Sequence, residues 1–128
     1  MRRLLTLSMF LLATGACDPE YGSLRIKEGA GEIDYAFVSD RGIAIEEGKV
    51  VVVFAEPISA NPNEEYEGLQ AFDLQVHNED VAVAHRGVLR DSFMIVGASP
   101  GTTDLDVLID GRVQETLPVE VRVQGGGQ

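Results

Sequence analysis

The stretch "DLDVLIDGRVQETLPVEVRV" (104–123) alternates apolar and polar residues on both sides of one short turn. Leu105, Val107 and Ile109 occupy every second position before that turn. The same period follows it, at Val119, Val121 and Val123. Asp110-Gly111 is typical of a two-residue turn between antiparallel strands, because both residue types accept a positive φ. The stretch therefore predicts a β-hairpin with one apolar face.

The period of two recurs in the rest of the chain. Further strands are predicted at "LRI" (24–26), "EIDYAFV" (32–38), "FDLQV" (72–76), "VAVAH" (81–85) and "SFMIVGA" (92–98). Within them, Ile33, Tyr35 and Phe37 are predicted to share one face, and Val81 and Val83 another. After the first 16 residues no segment shows the 3.6-residue period of a helix. About seven short strands at this spacing predict an all-β sandwich.

Residues 42–58, "GIAIEEGKVVVVFAEPI", contain two of these strands around a turn at 46–49. The second strand holds the run Val50–Val53, followed by Phe54. A continuous β-branched run is typical of a strand that is buried on both faces or lies near the centre of a sandwich. From the pattern as a whole we expect four core residues in particular: Val52, Phe72, Leu105 and Val121.

The first 16 residues have the layout of a secretory signal peptide. Arg2 and Arg3 precede an apolar stretch at 4–13, which is shorter than the roughly 20 residues that span a bilayer. The junction "TGAC" (14–17) resembles the bacterial lipoprotein box, whose cysteine receives a diacylglycerol group and becomes the N-terminus. The resemblance implies that Cys17 is lipidated. The alternative is cleavage by an ordinary signal peptidase, which leaves Cys17 a free thiol.

The chain is predicted to have four parts. Residues 1–16 are a cleaved signal peptide, residues 17–23 are the lipid anchor and tether, residues 24–123 are the sandwich domain, and residues 124–128 are a flexible tail. Lipidated Cys17 attaches the domain to a membrane. We therefore expect a cell-envelope protein, on the periplasmic face of the inner or outer membrane or at the cell surface.

The mature chain is strongly acidic. The leader holds two of the ten basic residues and none of the 21 acidic ones, so its removal changes the formal net charge from −11 to −13. Such a surface repels nucleic acid, and nucleic-acid binding is excluded on this ground. The single cysteine cannot form a disulfide within the chain, so apolar packing must stabilise the fold.

Residues 42–123 resemble a group 2 bacterial immunoglobulin-like domain, the module of intimin- and invasin-type surface proteins. The resemblance rests on three stretches: "IAIEEGKVVVVFA", "FDLQVHNEDVAVAH" and "SPGTTDLDVLIDGRVQETLPVEVRV". It implies one immunoglobulin-like β-sandwich. Phe72 stands where that family commonly has tryptophan, and the loop at 59–68 is longer and more acidic than usual. With the lipid box, the resemblance implies a lipid-anchored protein that binds another envelope protein or serves as an accessory or structural subunit.

The polar stretch "SANPNEEYEG" (59–68) is predicted to be an exposed loop. It holds the candidate residues for a ligand or partner: Asn61, Asn63, Glu64, Glu65 and Glu67. Their oxygens suit calcium, which takes six to eight oxygen ligands, although the spacing is not that of an EF-hand. The alternative function is therefore an adhesion or ligand-binding module, with calcium as its only possible cofactor.

No catalytic residue and no other metal ligand is predicted. His77 and His85 lie on either side of a predicted turn with Glu79 and Asp80 nearby, but zinc or base chemistry needs further ligands or an oriented carboxylate, and histidines beside acidic residues are common on protein surfaces. The serines lie outside a G-x-S-x-G context, and no phosphate-binding or dinucleotide fingerprint occurs. The aspartates at 104, 106 and 110 are expected on a solvated strand face. We therefore expect a protein that is not an enzyme.

Overall fold

The computed structural model describes residues 19–29, 33–66 and 71–124, and nine β-strands lie within these ranges. In chain order the strands are β1 (Tyr21–Glu28), β2 (Ala36–Ser39), β3 (Gly42–Glu46), β4 (Val50–Ser59), β5 (Phe72–Val76), β6 (Ala82–Arg86), β7 (Ser92–Gly97), β8 (Gly101–Ile109) and β9 (Arg112–Arg122). The predicted signal peptide, Cys17 and Glu67 lie outside the described residues. Strand β1 begins inside the range predicted as a tether.

The strands form two sheets that pack face to face. One has four strands in the order β1-β4-β7-β6, and the other has five in the order β2-β3-β9-β8-β5. Apart from β2 and β3, this is the A-B-E-D and C-F-G arrangement of an immunoglobulin-like sandwich. The predicted all-β sandwich is confirmed. The described strands exceed the expected seven because the hairpin β2–β3 enlarges the second sheet, with β3 parallel to β9.

The core lies between the sheets and consists of residues at alternate strand positions. Leu105 and Val121 are 0% and 3% exposed, as predicted. The largest fully buried side chains are Phe93, Ile45, Ile95, Leu105, Val51, Val53, Val107 and Val119. Because both sheets contribute to this set, burial of apolar surface holds one sheet against the other.

The predicted hairpin at Asp110-Gly111 is confirmed. The two residues have φ values of +52° and +80°, which is the positive pair that a two-residue turn of this kind requires. Ile109 pairs with Arg112 across the turn. A register shift after Val107 lets both Leu108 and Ile109 be buried on β8.

Strand β4 is buried on one face only, so the prediction of burial on both faces is wrong. Val51 and Val53 are 2% and 0% exposed, whereas Val52 points outward from the sandwich. Val52 is therefore not a core residue. In a run of four valines the period of two is invisible, because every position is apolar and the sequence cannot choose a face.

Two other strands have the opposite phase to the predicted one. In β2, Val38 pairs with the buried Ile43 of β3, which places Phe37 on the outer face with 64% exposure. In β6, Ala84 pairs with the buried Ile95 of β7, so Val83 points outward. In each case the neighbouring strand fixes which face is buried; the inward residues are Ala36 and Val38 in β2 and Ala82 and Ala84 in β6.

Phe72 is half-buried and packs against the core without being enclosed by it. The expectation that Phe72 belongs to the fully buried set is therefore wrong. It lies at the start of β5, an edge strand of the five-stranded sheet, where only one neighbouring strand shields it.

A candidate protein-binding face

The polar loop that was predicted as a binding loop is held by its own hydrogen bonds. Asn61 Oδ1 accepts a hydrogen bond from the Asn63 backbone N–H at 3.0 Å. The Asn61 carbonyl accepts one from the Glu64 N–H at 2.9 Å. Asn61, Asn63, Glu64 and Glu65 are exposed. Asn61 Oδ1, one of the predicted oxygen ligands, thus serves to shape the turn.

No group of three or more His, Cys, Asp or Glu side chains within the described residues is arranged to hold a metal ion. Calcium binding at 59–68 stays a prediction, since Glu67 lies outside those residues. The two histidines do not form one site, because His77 follows β5 of the five-stranded sheet and His85 lies on β6 of the other.

His77 instead pairs with one carboxylate on the outer face of the five-stranded sheet. Its Nε2 lies 2.8 Å from Asp106 Oδ2, and the Thr116 hydroxyl donates to Asp106 Oδ1 at 2.8 Å. Partial burial alone raises the pKa of Asp106. The hydrogen bonds from Thr116 and His77 and the charge of His77 outweigh it, so the pKa of Asp106 lies below its ordinary value. This arrangement stabilises a carboxylate.

The two sheets have different outer faces. The outward positions of β8 and β9 are mostly polar, among them Thr102, Asp104, Asp106, Thr116 and Glu120. A solvated sheet normally alternates in this way, apolar inside and polar outside. The outward positions of β4 and β7 in the four-stranded sheet are mostly apolar, whereas its edge strands also present Arg25, Lys27 and His85. We call six of them the apolar face: Val50, Val52, Phe54, Val83, Met94 and Val96.

Cross-strand pairing makes the apolar face continuous over three adjacent strands. Val96 of β7 pairs with Val50 on one side and with Val83 on the other. Val52 pairs with Met94 in the next row. Directly opposed side chains lie about 5 Å apart at Cβ, which is close enough for contact. Val50 and Met94 remain 43% and 38% exposed, so this apolar surface meets solvent.

Phe54 extends the apolar face toward β1. Its ring lies across Gly29, where an added Cβ would stand 2.6 Å from the ring atom Cε2 and 3.3 Å from Val52 Cγ1. The Gly29 N–H donates to the Val52 carbonyl at 2.8 Å, which fixes the backbone under the ring. Only glycine at position 29 leaves this space for the aromatic side chain.

A shallow depression of about 460 Å³ borders Phe54. Its charged lining comprises three cations and three carboxylates: Arg25, Lys27, Arg90, Glu28, Glu56 and Asp91. Arg25 Nη1 lies 2.8 Å from Glu56 Oε1, so these two groups neutralise each other. Lys27 is exposed, and its ammonium has no ion-pair or hydrogen-bond partner within the described residues.

A second open depression, of about 530 Å³, lies at one end of the sandwich beside the exposed Val88 and Leu89. Its Arg86 contacts the Phe72 carbonyl, lies 3.6 Å from Asp73 Oδ1 and stands 5.0 Å above the ring of Phe93. The guanidinium therefore serves the fold.

The apolar face was not predicted from the sequence, although its signal is present there. The run Val50–Val53 with Phe54 indicates burial on both sides of β4. The sandwich supplies a cover for one side only. On the paired strand β7, Met94, Ile95 and Val96 are likewise all apolar, so no polar residue marks the outward side there either. The run from Val50 to Phe54, which has no polar residue as an exposed strand face would, is therefore the run that forms the apolar face.

Within the described residues no helix has the length and apolar character needed to cross a bilayer. No family model matches the chain, and no curated protein matches it significantly. The solved structures that are similar to it in fold include two of the S-layer protein SbsC.

The structure of SbsC domains 4 and 5 is 10% identical, with a TM-score of 0.50, over 83% of this chain and 54% of that one. The structure of SbsC domains 1–6 is 12% identical, with a TM-score of 0.54, over 87% of this chain and 14% of that one. This chain thus spans about half of the first and about one seventh of the second. Such identities show the fold alone, which is the β-sandwich of domains in a surface-layer protein.

Proposed function

We propose that the protein is a lipid-anchored, non-catalytic envelope protein whose β-sandwich binds another envelope protein through the apolar face. The contrast between the two outer faces carries this proposal. Both sheets have the same core to cover, yet the outward positions at the middle of one sheet are mostly polar and those at the middle of the other, on β4 and β7, are mostly apolar. Apolar surface left in water forgoes about 25 cal/mol per Å², which burial against a partner recovers.

A second copy of the chain fits this face poorly. Each copy has a formal net charge of −13 over residues 17–128, so two copies repel each other. A different protein avoids this penalty.

The size of the apolar face suits the centre of an interface. Three strands cover about 10 Å across, and the outward positions from Val50 to Phe54 cover about 14 Å along β4. A standard interface buries about 800 Å² on each partner, with an apolar core inside a polar rim. The surrounding charged residues therefore belong to the binding surface as well.

With the predicted lipid anchor, the apolar face can be occupied by a partner even if its affinity for that partner is low. Two or more acyl chains hold a protein stably at a bilayer, at about 0.8 kcal/mol for each buried methylene. A partner at the same membrane then meets the domain at a raised effective concentration. The similarity in fold to domains of a surface-layer protein supports this placement in the envelope.

The proposal is tested by site-specific photocrosslinking of the full chain in its own cells. A photoreactive residue replaces Met94 on the apolar face, or Thr102 on the polar face as the matched control. We expect one dominant protein adduct from position 94 and none from position 102. The 94 adduct should disappear when Val52 and Val96 are both changed to threonine, which keeps the β-propensity of both positions.

Equal adducts from both positions would show contact without a defined face, and no adduct from either would show that the face is not covered. Either result contradicts the proposal.

Mass spectrometry of the mature N-terminus, with Cys17→Ser as the comparison, tests the anchor separately. An unmodified Cys17 thiol in the soluble fraction would refute the lipid attachment.

A further inference from the structure

We infer that Lys27 is the specificity-determining residue of the apolar face and that it receives an aspartate or glutamate of the partner. The partner is then a protein with an apolar surface bordered by a carboxylate. This inference rests on the proposed function, because it identifies the chemistry of the partner at that same face.

The position of Lys27 is the first step. It lies on the outward side of β1 and pairs in register with Phe54, so its side chain borders the aromatic end of the apolar face. It is exposed and has no partner within the described residues. A partner that covers Phe54 therefore approaches an ammonium that no carboxylate of the fold has neutralised.

Most other cations of the described residues are already engaged. Arg122 Nη2 lies 3.2 Å from Glu120 Oε1, and Lys49 Nζ lies 5.7 Å from the centre of the Tyr35 ring. Arg25 and Arg86 have the contacts described above. Arg90, on the far side of the depression, resembles Lys27 in having no ion pair among the described residues. Two unengaged cations thus flank Phe54 in a strongly acidic chain.

The acidic residues of the depression are equal in number to its cations, but none of them forms an ion pair with Lys27. Glu56 is paired with Arg25 at 2.8 Å, which leaves Glu28 and Asp91 as the other carboxylates of the depression. The remaining acidic residues act over longer distances and are screened, since the Debye length in physiological salt is about 8 Å. A carboxylate that arrives at Lys27 is governed by its immediate neighbours.

Burial strengthens such a contact. An ion pair in open solvent contributes little, but water excluded by an adjoining apolar contact lowers the local dielectric and strengthens the pair. Charge pairs at an interface mainly select the correct partner. The apolar face thus supplies affinity, and Lys27 rejects apolar surfaces that lack an acidic residue at the matching place.

A membrane surface is a different occupant and is less suited to this face. Anionic headgroups could also approach Lys27, but a bilayer presents a whole layer of them, which also meets the carboxylates of Glu28 and Asp91 in the same depression. The six residues of the face all lie on strands, and none is on a loop that could enter the headgroup region. Lipid adducts are therefore an outcome of the test below.

Zero-length coupling by a carbodiimide tests the inference directly. The reagent joins an amine to a carboxylate with loss of water and leaves no spacer. Lys27 and Lys49 are the only lysines of the chain. In cells that carry the full chain, we expect peptides joining Lys27 to an aspartate or glutamate of the protein captured from position 94, and none from Lys49. Lys27→Arg keeps the charge, so it should remove these peptides and keep the 94 adduct.

Charge reversal supplies the second measurement. Lys27→Glu should lower the yield of the 94 adduct at least about tenfold. Arg41→Glu changes the net charge equally at the exposed β2–β3 turn, and should leave the yield unchanged. Thermal unfolding of both variants must match that of the parent, because both positions are exposed.

The outcomes separate the two proposals. If position 94 captures a protein but Lys27 couples to none of its carboxylates, the inference fails and the proposed function stands. If Lys27 couples only to another copy of this chain, the inference of a different acidic partner is wrong and the face mediates self-association. An adduct at position 94 with the mass of a lipid would overturn both proposals, as would no adduct at all.

Discussion

The ring of Phe72 meets the ring of Phe93 edge-on, with 5.8 Å between their centres and 79° between their planes. Phe72 belongs to β5 of one sheet and Phe93 to β7 of the other, so this contact joins the two layers. Phe93 is 0% exposed, and Arg86 lies over its ring at 5.0 Å. Phe93 is thus fully enclosed, and the half-buried Phe72 is one of the residues that enclose it.

Truncation of the two rings should have unequal effects. Phe93→Ala should lower the free energy of unfolding by about 3–5 kcal/mol, because it removes a fully buried ring. Phe72→Ala should cost less, about 2 kcal/mol, since part of that ring already meets water. Urea unfolding of both variants measures the difference, with the exposed Phe37→Ala as control. Equal losses at 72 and 93 would contradict the half-burial of Phe72.

The two faces of β4 predict opposite responses to one chemical change. Val51→Thr should lower the free energy of unfolding by about 1–3 kcal/mol, because it places a hydroxyl in the core. Val52→Thr should change it by less than about 0.5 kcal/mol, since position 52 faces outward. The comparison uses chemical denaturation of the two single variants. A larger loss at 52 than at 51 would mean that β4 has the other phase.

The Asp106 carboxylate predicts a specific acid sensitivity. Its folded-state pKa is lowered, so its contribution to stability is complete at neutral pH and is lost as the pH falls from about 4 through the folded-state pKa. Asp106→Asn should cost less than about 1 kcal/mol at pH 7. That cost should shrink progressively as the pH falls below about 4. Asp104→Asn, an exposed change on the same strand face, is the control for unfolding measured across pH.

The effect of calcium on Tm tests the alternative function, a calcium-dependent adhesion module. A ligand that binds only the folded state raises Tm, by an amount that grows with its concentration. Because Asn61 Oδ1 already accepts the Asn63 N–H, we expect millimolar calcium to leave Tm unchanged. A rise in Tm that is lost in Glu64→Gln with Glu65→Gln would instead support a calcium-dependent adhesion module. Magnesium at the same concentration controls for ionic strength.

Strands with strict alternation were predictable from the sequence. Apolar and polar residues alternate from Asp104 to Val107 in β8 and from Val119 to Arg122 in β9, and Leu105 and Val121 are buried as expected. The Asp110-Gly111 turn was equally readable, because its geometry demands residues that accept a positive φ. Local chemistry decides these features, and a single sequence contains it.

The phases of β2, β4 and β6 were not predictable in the same way. A run such as Val50–Val53 has no polar residue to mark the outward side, so the neighbouring strand decides which valines are buried. Phe37 and Val83 are large and apolar, yet pairing partners turn them outward. The apolar face follows from these same positions, and it therefore became visible only with the pairing of the strands.

The parallel contact of β3 with β9 has a consequence for how the chain matures. Strand β9 follows the other described strands in the chain, yet it lies at the centre of its sheet, between β3 and β8. Ile43 cannot meet Val119 until the 75 residues between them are available, and such long-range closure makes folding slow. A chain threaded across a membrane from its N-terminus, as the leader predicts, would stay transport-competent until β9 emerges.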